Sequence, residues 1–413
     1  MKNQIFDLIK QEENRQESCI NLIASENYAS KDVLSAAGSV LTNKYAEGYP
    51  KKRYYGGCEV IDLIEEKAIE LGKTLFKSNH INVQPHSGSQ ANMAVYFSQL
   101  NPGDTILGMS LSCGGHLTHG HKINFSGKLF NFIPYFVEKE TEQINYEEIE
   151  KLASIHKPKM IVAGASAYSR TINFEKFSKM AKQHNALLFV DMAHIAGLIA
   201  TNLHPTPIGL ADFISSTTHK TLRGPRGGLI ICKDQFAEKI DKSVMPGIQG
   251  GPLMHIIAAK AIAFEEALDK KFEEYQKQVL KNSKAMCKTF KELGYKIVSD
   301  DTDNHLFLID LKKSNISSKV PTINGKIVEI ALENCNIICN RNSIPFDTLP
   351  PTITSGIRIG TPAITTRGLT EENAIQITYW IDKVINNLEN KTILEGIKKE
   401  VIKYCSFFPI YKE

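Results

Sequence analysis

The sequence predicts an α/β protein in which a large α/β domain with a mostly parallel central sheet is followed by a smaller C-terminal α+β domain. From residue 150 onward, short apolar runs alternate with helical stretches, which is typical of a parallel sheet covered on both faces. The 413 residues also exceed the roughly 250–300 at which a single core stops growing. We therefore expect an N-terminal arm and large domain over residues 1–274, and a small domain over residues 275–413.

The elements of the large domain follow from the spacing of apolar residues. A helix is predicted over 58–76, where Gly56-Gly57 precedes apolar residues at helical spacing, and another runs from Ser87-Gly88-Ser89 to Leu100. The predicted strands are 105–109, 159–163, 186–190, 211–215 and 228–232, with a helix over 174–184.

The pattern changes beyond Gly294, after two helices over 255–268 and from about Phe272 to Leu293. Short strands then dominate. They are predicted over 295–299, 305–311, 336–340 and 356–360, with helices near 324–334 and from about Glu371. This order predicts a small α+β domain joined to the large one by a long helix.

The amino-acid composition indicates an ordinary globular protein and argues against several other classes. Hydrophobic residues make up 42% and charged residues 23% of the chain, as in ordinary globular proteins. The 49 basic and 45 acidic residues form no run of five like charges, so nucleic acid is not expected as a partner. The eight cysteines have no regular spacing, and a metal site at Cys335 and Cys339 is disfavoured. With no apolar or Arg-rich leader over residues 1–13, we expect a cytoplasmic protein.

Two charged residues follow predicted strands at the edge of the sheet where ligands bind. Asp191 closes the strand 186–190, and Lys220 comes soon after the strand 211–215. Alone, Asp191 could be a helix cap and Lys220 a solvated side chain. Together with a Ser87-Gly88-Ser89 helix start, they match the needs of pyridoxal phosphate: a lysine for the imine, an acid for the ring nitrogen and backbone N–H groups for the phosphate.

Two other glycine-rich stretches were weighed as phosphate sites. Residues 224–228 lack the Gly-Lys-Ser/Thr ending of a nucleotide-binding P-loop, so we reject that interpretation. Gly250-Gly251-Pro252 is compatible with an ordinary helix start or with a phosphate contact from another subunit.

Several longer motifs carry a family resemblance. They occupy residues 21–27, 41–50, 53–57, 84–92, 114–120, 190–194, 217–228 and 354–363. With these stretches in this order, the chain resembles the serine hydroxymethyltransferases, a family of fold-type-I pyridoxal-phosphate enzymes, over nearly its whole length. The resemblance implies a reversible reaction of L-serine and tetrahydrofolate to glycine and 5,10-methylenetetrahydrofolate, which serves one-carbon metabolism and glycine synthesis.

The resemblance also implies roles around the cofactor. Lys220 is expected to hold it as a Schiff base and Asp191 to pair with its ring nitrogen, while His219 influences reaction specificity. The other implied cofactor contacts are His116 stacked on the ring, His194 near its phenolic oxygen, Thr217, Gly88 and Ser89 near the phosphate, and Tyr45 and Gly251 from a second subunit. A homodimer or tetramer is therefore expected.

The substrate contacts implied by the resemblance fall into two groups. Ser25, Tyr55 and Arg358 are expected to hold the substrate carboxylate, with Glu47 as the acid/base group. The expected folate contacts are Tyr54, Leu111, Gly115, His116, Leu117, Asn342 and Thr352.

The chain departs from the family pattern at two places. Cys113 stands where many members have histidine, with little consequence expected. Pro350-Pro351-Thr352 replaces a more usual Ser-Pro-Phe, and we expect this loss of an aromatic ring to weaken folate contact. A metal site at His116, His119 and His121 is disfavoured, because only Cys113 is near as further support.

Two rival functions were considered. A threonine aldolase of the same fold type would lack the folate contacts, namely Glu47, Tyr54, the strip 111–117 and Asn342. A catalytically inactive binding protein, such as one that contacts RNA, would be expected to have lost Lys220, Asp191 or Arg358. The sequence favours neither.

Overall fold

A computed structural model describes residues 4–411, which divide into two compact units. Unit 2 is Ala29–Gln276, and unit 1 combines the residues up to Tyr28 with those from Lys277 onward. Residues 1–3, the start of the segment in which no leader was expected, lie outside the described residues, as do residues 412 and 413. Within the described chain, no helix combines the length and the apolar character needed to cross a membrane.

The structure contains the following α-helices and strands. The helices are α1 (Gln4–Ser18), α2 (Lys31–Ala37), α3 (Glu59–Phe76), α4 (Gly88–Gln99), α5 (Phe125–Leu129), α6 (Tyr146–His156), α7 (Phe174–Gln183), α8 (Ala196–Ala200), α9 (Ala237–Lys242), α10 (Met254–Leu268), α11 (Lys270–Glu292), α12 (Ile316–Lys319), α13 (Gly325–Asn334), α14 (Pro362–Thr366), α15 (Glu371–Ile385) and α16 (Lys391–Cys405). The strands are β1 (Ile20–Asn21), β2 (Gly48–Tyr49), β3 (Lys52–Arg53), β4 (His80–Asn82), β5 (Thr105–Met109), β6 (Asn131–Tyr135), β7 (Met160–Ala163), β8 (Leu187–Asp191), β9 (Phe213–Thr217), β10 (Gly228–Cys232), β11 (Lys296–Ile297), β12 (Leu306–Asp310), β13 (Ile337–Ile338), β14 (Asn340–Asn342) and β15 (Gly356–Gly360).

Unit 2 is built on a seven-stranded sheet in the order β4-β10-β9-β8-β7-β5-β6. The neighbours from β9 to β6 are parallel, whereas β10 is antiparallel to both β4 and β9. The mostly parallel sheet expected from the sequence is therefore confirmed. Strands β7 and β10 are buried along their whole length, which explains why their sequences read as continuous apolar runs.

Tyr96 of α4 connects the core of unit 2 to the edge of the sheet that carries the predicted site. Its ring contacts Phe130, Phe132 and Phe189, with centroids 5.5–5.9 Å apart. Its hydroxyl group donates to the backbone oxygen of Thr118 at 2.9 Å. The core packing thus fixes both α4 and the loop after β5, two parts of the chain to which the sequence assigned site residues.

Unit 1 contains the four-stranded antiparallel sheet β11-β12-β15-β14 and differs from the predicted small domain at its N-terminal part. We expected residues 1–274 to belong together, but the residues up to Tyr28 lie in unit 1 and the division falls between Gln276 and Lys277. Strand β1 pairs in parallel with β13, and the Gly360 N–H donates to the Leu22 oxygen at 2.8 Å. This pairing buries Leu22 in the unit 1 core.

Three predicted strands differ from the structure by two residues or more. The strand 211–215 lies two residues later, as β9, because the Ala211 N–H turns back onto the Pro207 oxygen. The strand 295–299 ends at Ile297, since Ser299 has a φ of 58° that breaks the extended backbone. The predicted strand 336–340 is divided into β13 and β14, which pair in different sheets.

Candidate active site

Asp191 ends β8 with a carboxylate whose two oxygens both accept hydrogen bonds. Its Oδ2 accepts from Asn92 Nδ2 at 2.9 Å and lies 3.1 Å from His119 Nε2, and its Oδ1 accepts from the Ala193 N–H at 3.1 Å. Burial alone would disfavour the ionised form. The hydrogen bond that His119 donates and the nearby charge of Lys220 nevertheless hold the pKa of the Asp191 carboxyl well below its usual range. This strand end therefore presents a stable negative charge.

Asn92 and His119 are site residues that the sequence analysis missed. His119 Nδ1 accepts the His116 N–H at 3.1 Å, so its Nε2 carries the proton that Asp191 receives. Asn92 accepts from Ser215 Oγ at 2.6 Å and thereby joins α4 to β9. Both residues lie inside quoted motifs, but no local pattern indicates that their side chains meet a carboxylate.

His116 is a neutral imidazole beside this carboxylate. Its Nδ1 lies 2.7 Å from Thr118 Oγ1, which also receives a hydrogen bond from Asn92. Burial lowers the pKa of His116 to about 4, and the charge of Asp191 opposes this only in part. Two of the three histidines of the disfavoured metal site thus have different partners, since His119 bonds Asp191 and His116 bonds Thr118.

Lys220 is buried, with 8% of its surface exposed. Two hydrogen bonds tie its segment to the residues after β8: Thr217 Oγ1 donates to the Ala193 oxygen at 3.4 Å, and Thr221 Oγ1 donates to the His194 oxygen at 2.9 Å. Its charge acts on both Asp191 and His116. The structure therefore brings Lys220, Asp191, His116 and the His194 backbone together at one edge of the sheet.

His219 lies in the same buried segment. Burial, followed by the charges of Arg226 and Lys220, lowers the pKa of His219 to about 3, so its ring is neutral at pH 7. Its Nδ1 has no hydrogen-bond partner among the described residues. A buried nitrogen of this kind is available to a bound ligand.

Gly88 and Ser89 form the first turn of α4, which Ser87 caps by accepting the Gln90 N–H at 3.2 Å. A Cβ atom on Gly88 would lie 2.7 Å from Thr217 Cγ2, so glycine allows this helix start to approach the end of β9. Free N–H groups at a helix N-terminus favour a phosphate. With an ionised carboxylate at Asp191 and a buried lysine at Lys220, these donors fit pyridoxal phosphate.

A second group in unit 2 contains Tyr45, Glu47, Tyr55, Gly250 and Gly251. The Tyr45 and Tyr55 rings meet edge to face at 5.1 Å. Cβ atoms built on Gly251 and Gly250 would lie 3.3 Å from the Tyr45 ring and 2.9 Å from Glu47 Oε1, respectively. The charge of Glu47 raises the pKa of Tyr45. The structure thus brings both residues expected to serve a neighbouring subunit, Tyr45 and Gly251, together with Glu47.

The predicted folate strip presents apolar side chains to the surface. Leu111 and Leu117 are exposed, as is Tyr54. A Cβ atom on Gly115 would lie 2.1 Å from the Met109 oxygen, so the turn between the two leucines requires glycine. Cys113, between the two leucines in the sequence, is buried.

Unit 1 holds the remaining predicted residues. Arg358 lies on β15, is buried, and donates from Nε to Asn340 Oδ1 at 3.2 Å. Burial lowers the pKa of Arg358 to about 10, so the guanidinium stays charged at pH 7. Ser25 follows Ala24, which packs against Gly360. Gly360 lies two residues beyond Arg358 on the same strand.

Asn342 and Thr352 also lie in unit 1. Asn342 is on β14 opposite Gly356, and its Nδ2 donates to the Ser343 oxygen at 2.7 Å. Thr352 is exposed in a turn that the Thr354 N–H closes onto the Pro350 oxygen.

A comparison with protein-family models agrees with this arrangement. The model described as serine hydroxymethyltransferase matches residues 1–381. Enzymes of this family are fold-type-I transferases that use pyridoxal phosphate, with tetrahydrofolate as a co-substrate. The chain belongs to the serine hydroxymethyltransferase family, which interconverts L-serine and tetrahydrofolate with glycine and 5,10-methylenetetrahydrofolate.

Proposed function

We propose that Lys220 and Asp191 are the residues through which this chain holds pyridoxal phosphate for the serine hydroxymethyltransferase reaction. The observation that carries the proposal is the buried Lys220 whose charge acts on the ionised carboxylate of Asp191. Pyridoxal phosphate supplies an electron sink when bound. The Asp191 carboxylate would keep a proton on the ring nitrogen, and the neutral His116 would pack on the ring without competing for that proton.

The phosphate of the cofactor is proposed to bind at the N-terminus of α4. The N–H groups of Gly88 and Ser89 point out of the first turn, where the helix dipole also favours an anion. Thr217 closes this position from the end of β9, with its Cγ2 against Gly88. His194 and His219 are proposed to bind near the ring, His219 through its unbonded Nδ1.

Arg358, Ser25 and Tyr55 are proposed to bind the carboxylate of serine. A guanidinium offers two parallel N–H donors to a carboxylate, and Arg358 remains charged despite its burial. Asn340 restrains the guanidinium through its Nε atom. The guanidinium is proposed to bind the substrate carboxylate from this restrained position.

Glu47 is proposed to move the hydroxyl proton of serine as the Cα–Cβ bond breaks. Its carboxylate lies close enough to Tyr45 for its charge to raise the pKa of the Tyr45 hydroxyl group. The exposed apolar surface of Leu111 and Leu117 is proposed to receive the folate. The further folate contacts proposed are Tyr54, Gly115, His116, Asn342 and Thr352.

A homodimer is proposed for the active assembly. A run of apolar side chains in unit 2 is exposed: Leu34, Val40, Tyr45, Tyr54, Tyr55, Val60 and Leu63. A surface of this kind commonly marks an association site. A second copy that covers this segment would bring its Tyr45 and Gly251 to the phosphate of its partner.

A cytoplasmic location is proposed from the cysteines. All eight are free and buried in the structure. Free thiols persist in reducing compartments, whereas exported proteins form disulfides.

The folate dependence of serine cleavage tests the proposed function. The purified protein is expected to convert L-serine to glycine rapidly only when tetrahydrofolate is present, and Lys220→Ala should abolish this turnover. A threonine aldolase would cleave β-hydroxy amino acids without responding to folate. A serine cleavage rate that tetrahydrofolate leaves unchanged would contradict the proposal.

A further inference from the structure

Lys260 of α10 is a buried lysine to which the reaction assigns no role. Only 1% of its surface is exposed. Its Nζ donates to the backbone oxygens of Val83 at 2.6 Å, Pro85 at 3.0 Å and Gly228 at 2.7 Å. The first two residues precede the N-cap of α4, and Gly228 is the first residue of β10. Lys260 therefore holds together the two segments that lead into the proposed phosphate site.

These two segments are in direct contact beneath the first turn of α4. The Gly228 N–H donates to the Pro85 oxygen at 3.0 Å. A Cβ atom on Gly228 would lie 2.4 Å from the Ser87 oxygen and 3.0 Å from the Gly88 nitrogen. A displacement of either segment would consequently move the N–H groups of Gly88 and Ser89.

A charged side chain is not needed to bond these backbone oxygens, because a neutral donor could make the same hydrogen bonds. Gln249 performs a similar task in the same segment with a neutral amide, since its Nε2 donates to the Gln84 oxygen and its Oε1 accepts the His86 N–H. Among the described residues, no carboxylate lies within hydrogen-bonding distance of Lys260 Nζ, which bonds only neutral carbonyls. Burying such a charge is costly, and burial lowers the pKa of Lys260 to about 7. A nearby bound anion would offset that cost.

We propose that Lys260 is a positioning residue for the phosphate group of pyridoxal phosphate. Its ammonium group fixes the segment before Ser87 against the start of β10, and it adds buried positive charge behind the N-terminus of α4. The inference rests on the proposed binding of the phosphate at Gly88 and Ser89.

The test compares pyridoxal phosphate with pyridoxal, which lacks the phosphate. Dissociation constants of both are measured by absorbance on the apoenzyme, and their ratio reports the contribution of the phosphate. Lys260→Met should lower this preference by about tenfold, which corresponds to about 1.4 kcal/mol, because the variant loses the buried charge and the bonds that fix the segment before Ser87. Loss of general stability would weaken both ligands equally and leave the ratio unchanged.

A second variant keeps the test decisive if Lys260→Met does not fold. A Cβ atom on Gly227 would lie 2.5 Å from Lys260 Cε, so Gly227→Ala displaces the ammonium group without removing its charge and should also lower the ratio. The matched control is Tyr135→Phe, which removes a buried side chain's hydrogen bond to a backbone oxygen, that of Val162, elsewhere in unit 2. Its ratio should equal that of the wild type.

Ser89→Asp separates this inference from the proposal on which it rests. The new carboxylate should repel the phosphate and lower the ratio. If Ser89→Asp has no effect, the phosphate does not bind at α4 and the proposed site is wrong. If Ser89→Asp lowers the ratio while both Gly227→Ala and any folded Lys260→Met retain the wild-type value, the role of Lys260 alone is refuted.

Discussion

The backbone on both sides of Glu47 is held by hydrogen bonds from Arg53. Arg53 Nη1 donates to the backbone oxygens of Ala46 and Gly48, each at 3.0 Å. The guanidinium is in turn paired with Glu65 at 2.6 Å, and the side chains of this pair are 3% and 1% exposed. The backbone that carries Glu47 is therefore restrained, which favours a constant position for a group proposed to transfer a proton.

Glu47→Gln should therefore separate two activities. Serine cleavage with tetrahydrofolate should fall by about 10²-fold or more, the range of a general acid/base. Cleavage of allo-threonine without folate should be largely retained, because its release of acetaldehyde needs no capture by folate. The matched control is Glu70→Gln, an exposed residue that pairs only with Lys67. An equal loss of both activities in Glu47→Gln would assign Glu47 to cofactor binding or loop structure.

Arg358→Ala should weaken serine binding and leave cofactor absorbance intact. Removing one partner of a buried charge pair costs about 3–5 kcal/mol, which corresponds to about two to three and a half powers of ten in affinity. Arg341→Ala serves as control, since Arg341 lies on the neighbouring strand β14 and pairs with Glu329 instead. Serine titrations followed by absorbance give the serine affinity of each variant. Normal serine affinity in Arg358→Ala would remove Arg358 from the site.

At the scale of single residues, the sequence identified the groups whose chemistry is visible locally. Asp191 and Lys220 could be predicted because each follows an apolar strand. The contacts of Asn92, His119 and Lys260 could not be predicted, because they join residues distant in the chain. Lys260 in particular reads as an ordinary lysine in an apolar helix until the carbonyls around its Nζ are known.

Arg367 connects the ends of two helices in unit 1. Its guanidinium donates to the backbone oxygens of Gln16, Glu17 and Cys19 near the end of α1, and to those of Cys405 and Phe408 near the end of α16. Carbonyls at helix C-termini lack intrahelical partners and favour a cation. One side chain thus satisfies the ends of both helices.

Arg367→Met should destabilise unit 1 by about 3 kcal/mol or more, because several buried carbonyls lose their partner at about 1–3 kcal/mol each. Trp380 is the only tryptophan of the chain, and its Nε1 donates to Glu400 of α16, so urea unfolding followed by its fluorescence reports on this unit. Arg15→Met removes only an exposed pair with Glu12 and should change the unfolding free energy little. Equal effects of the two variants would contradict this account of Arg367.

At the scale of elements, long apolar runs in the sequence were sufficient to predict the limits of a strand, whereas very short strands could not be predicted. The limits of β5, β10 and β15 agree with the predicted runs 105–109, 228–232 and 356–360. The two-residue strand β1 gave no such signal, because its pairing with β13 joins residues more than 300 positions apart in the sequence. That pairing is also why the N-terminal segment lies in unit 1.

For the whole molecule, the exposed apolar segment of unit 2 predicts dependence on a second copy. Val40 is 79% exposed, and Val40→Glu would place a charge in the proposed interface. The variant should sediment as a smaller species and bind the cofactor more weakly, because Tyr45 and Gly251 of a partner would be lost. Ile155→Glu, at an equally apolar and 71% exposed position on α6, should change neither property. A fully active wild-type monomer at assay concentration would refute the dimer.

The central claim is that one of two buried lysines carries the cofactor. Among the described residues only Lys220 and Lys260 are buried lysines, and Lys260 Nζ is already committed to three carbonyls. Borohydride reduction of the purified holoenzyme, followed by proteolysis and mass spectrometry of the peptides, identifies the lysine to which the cofactor is fixed. The modification is expected on Lys220 of the wild type, and none is expected in Lys220→Ala. Cofactor fixed to Lys260 or to any other lysine of the wild type would contradict it.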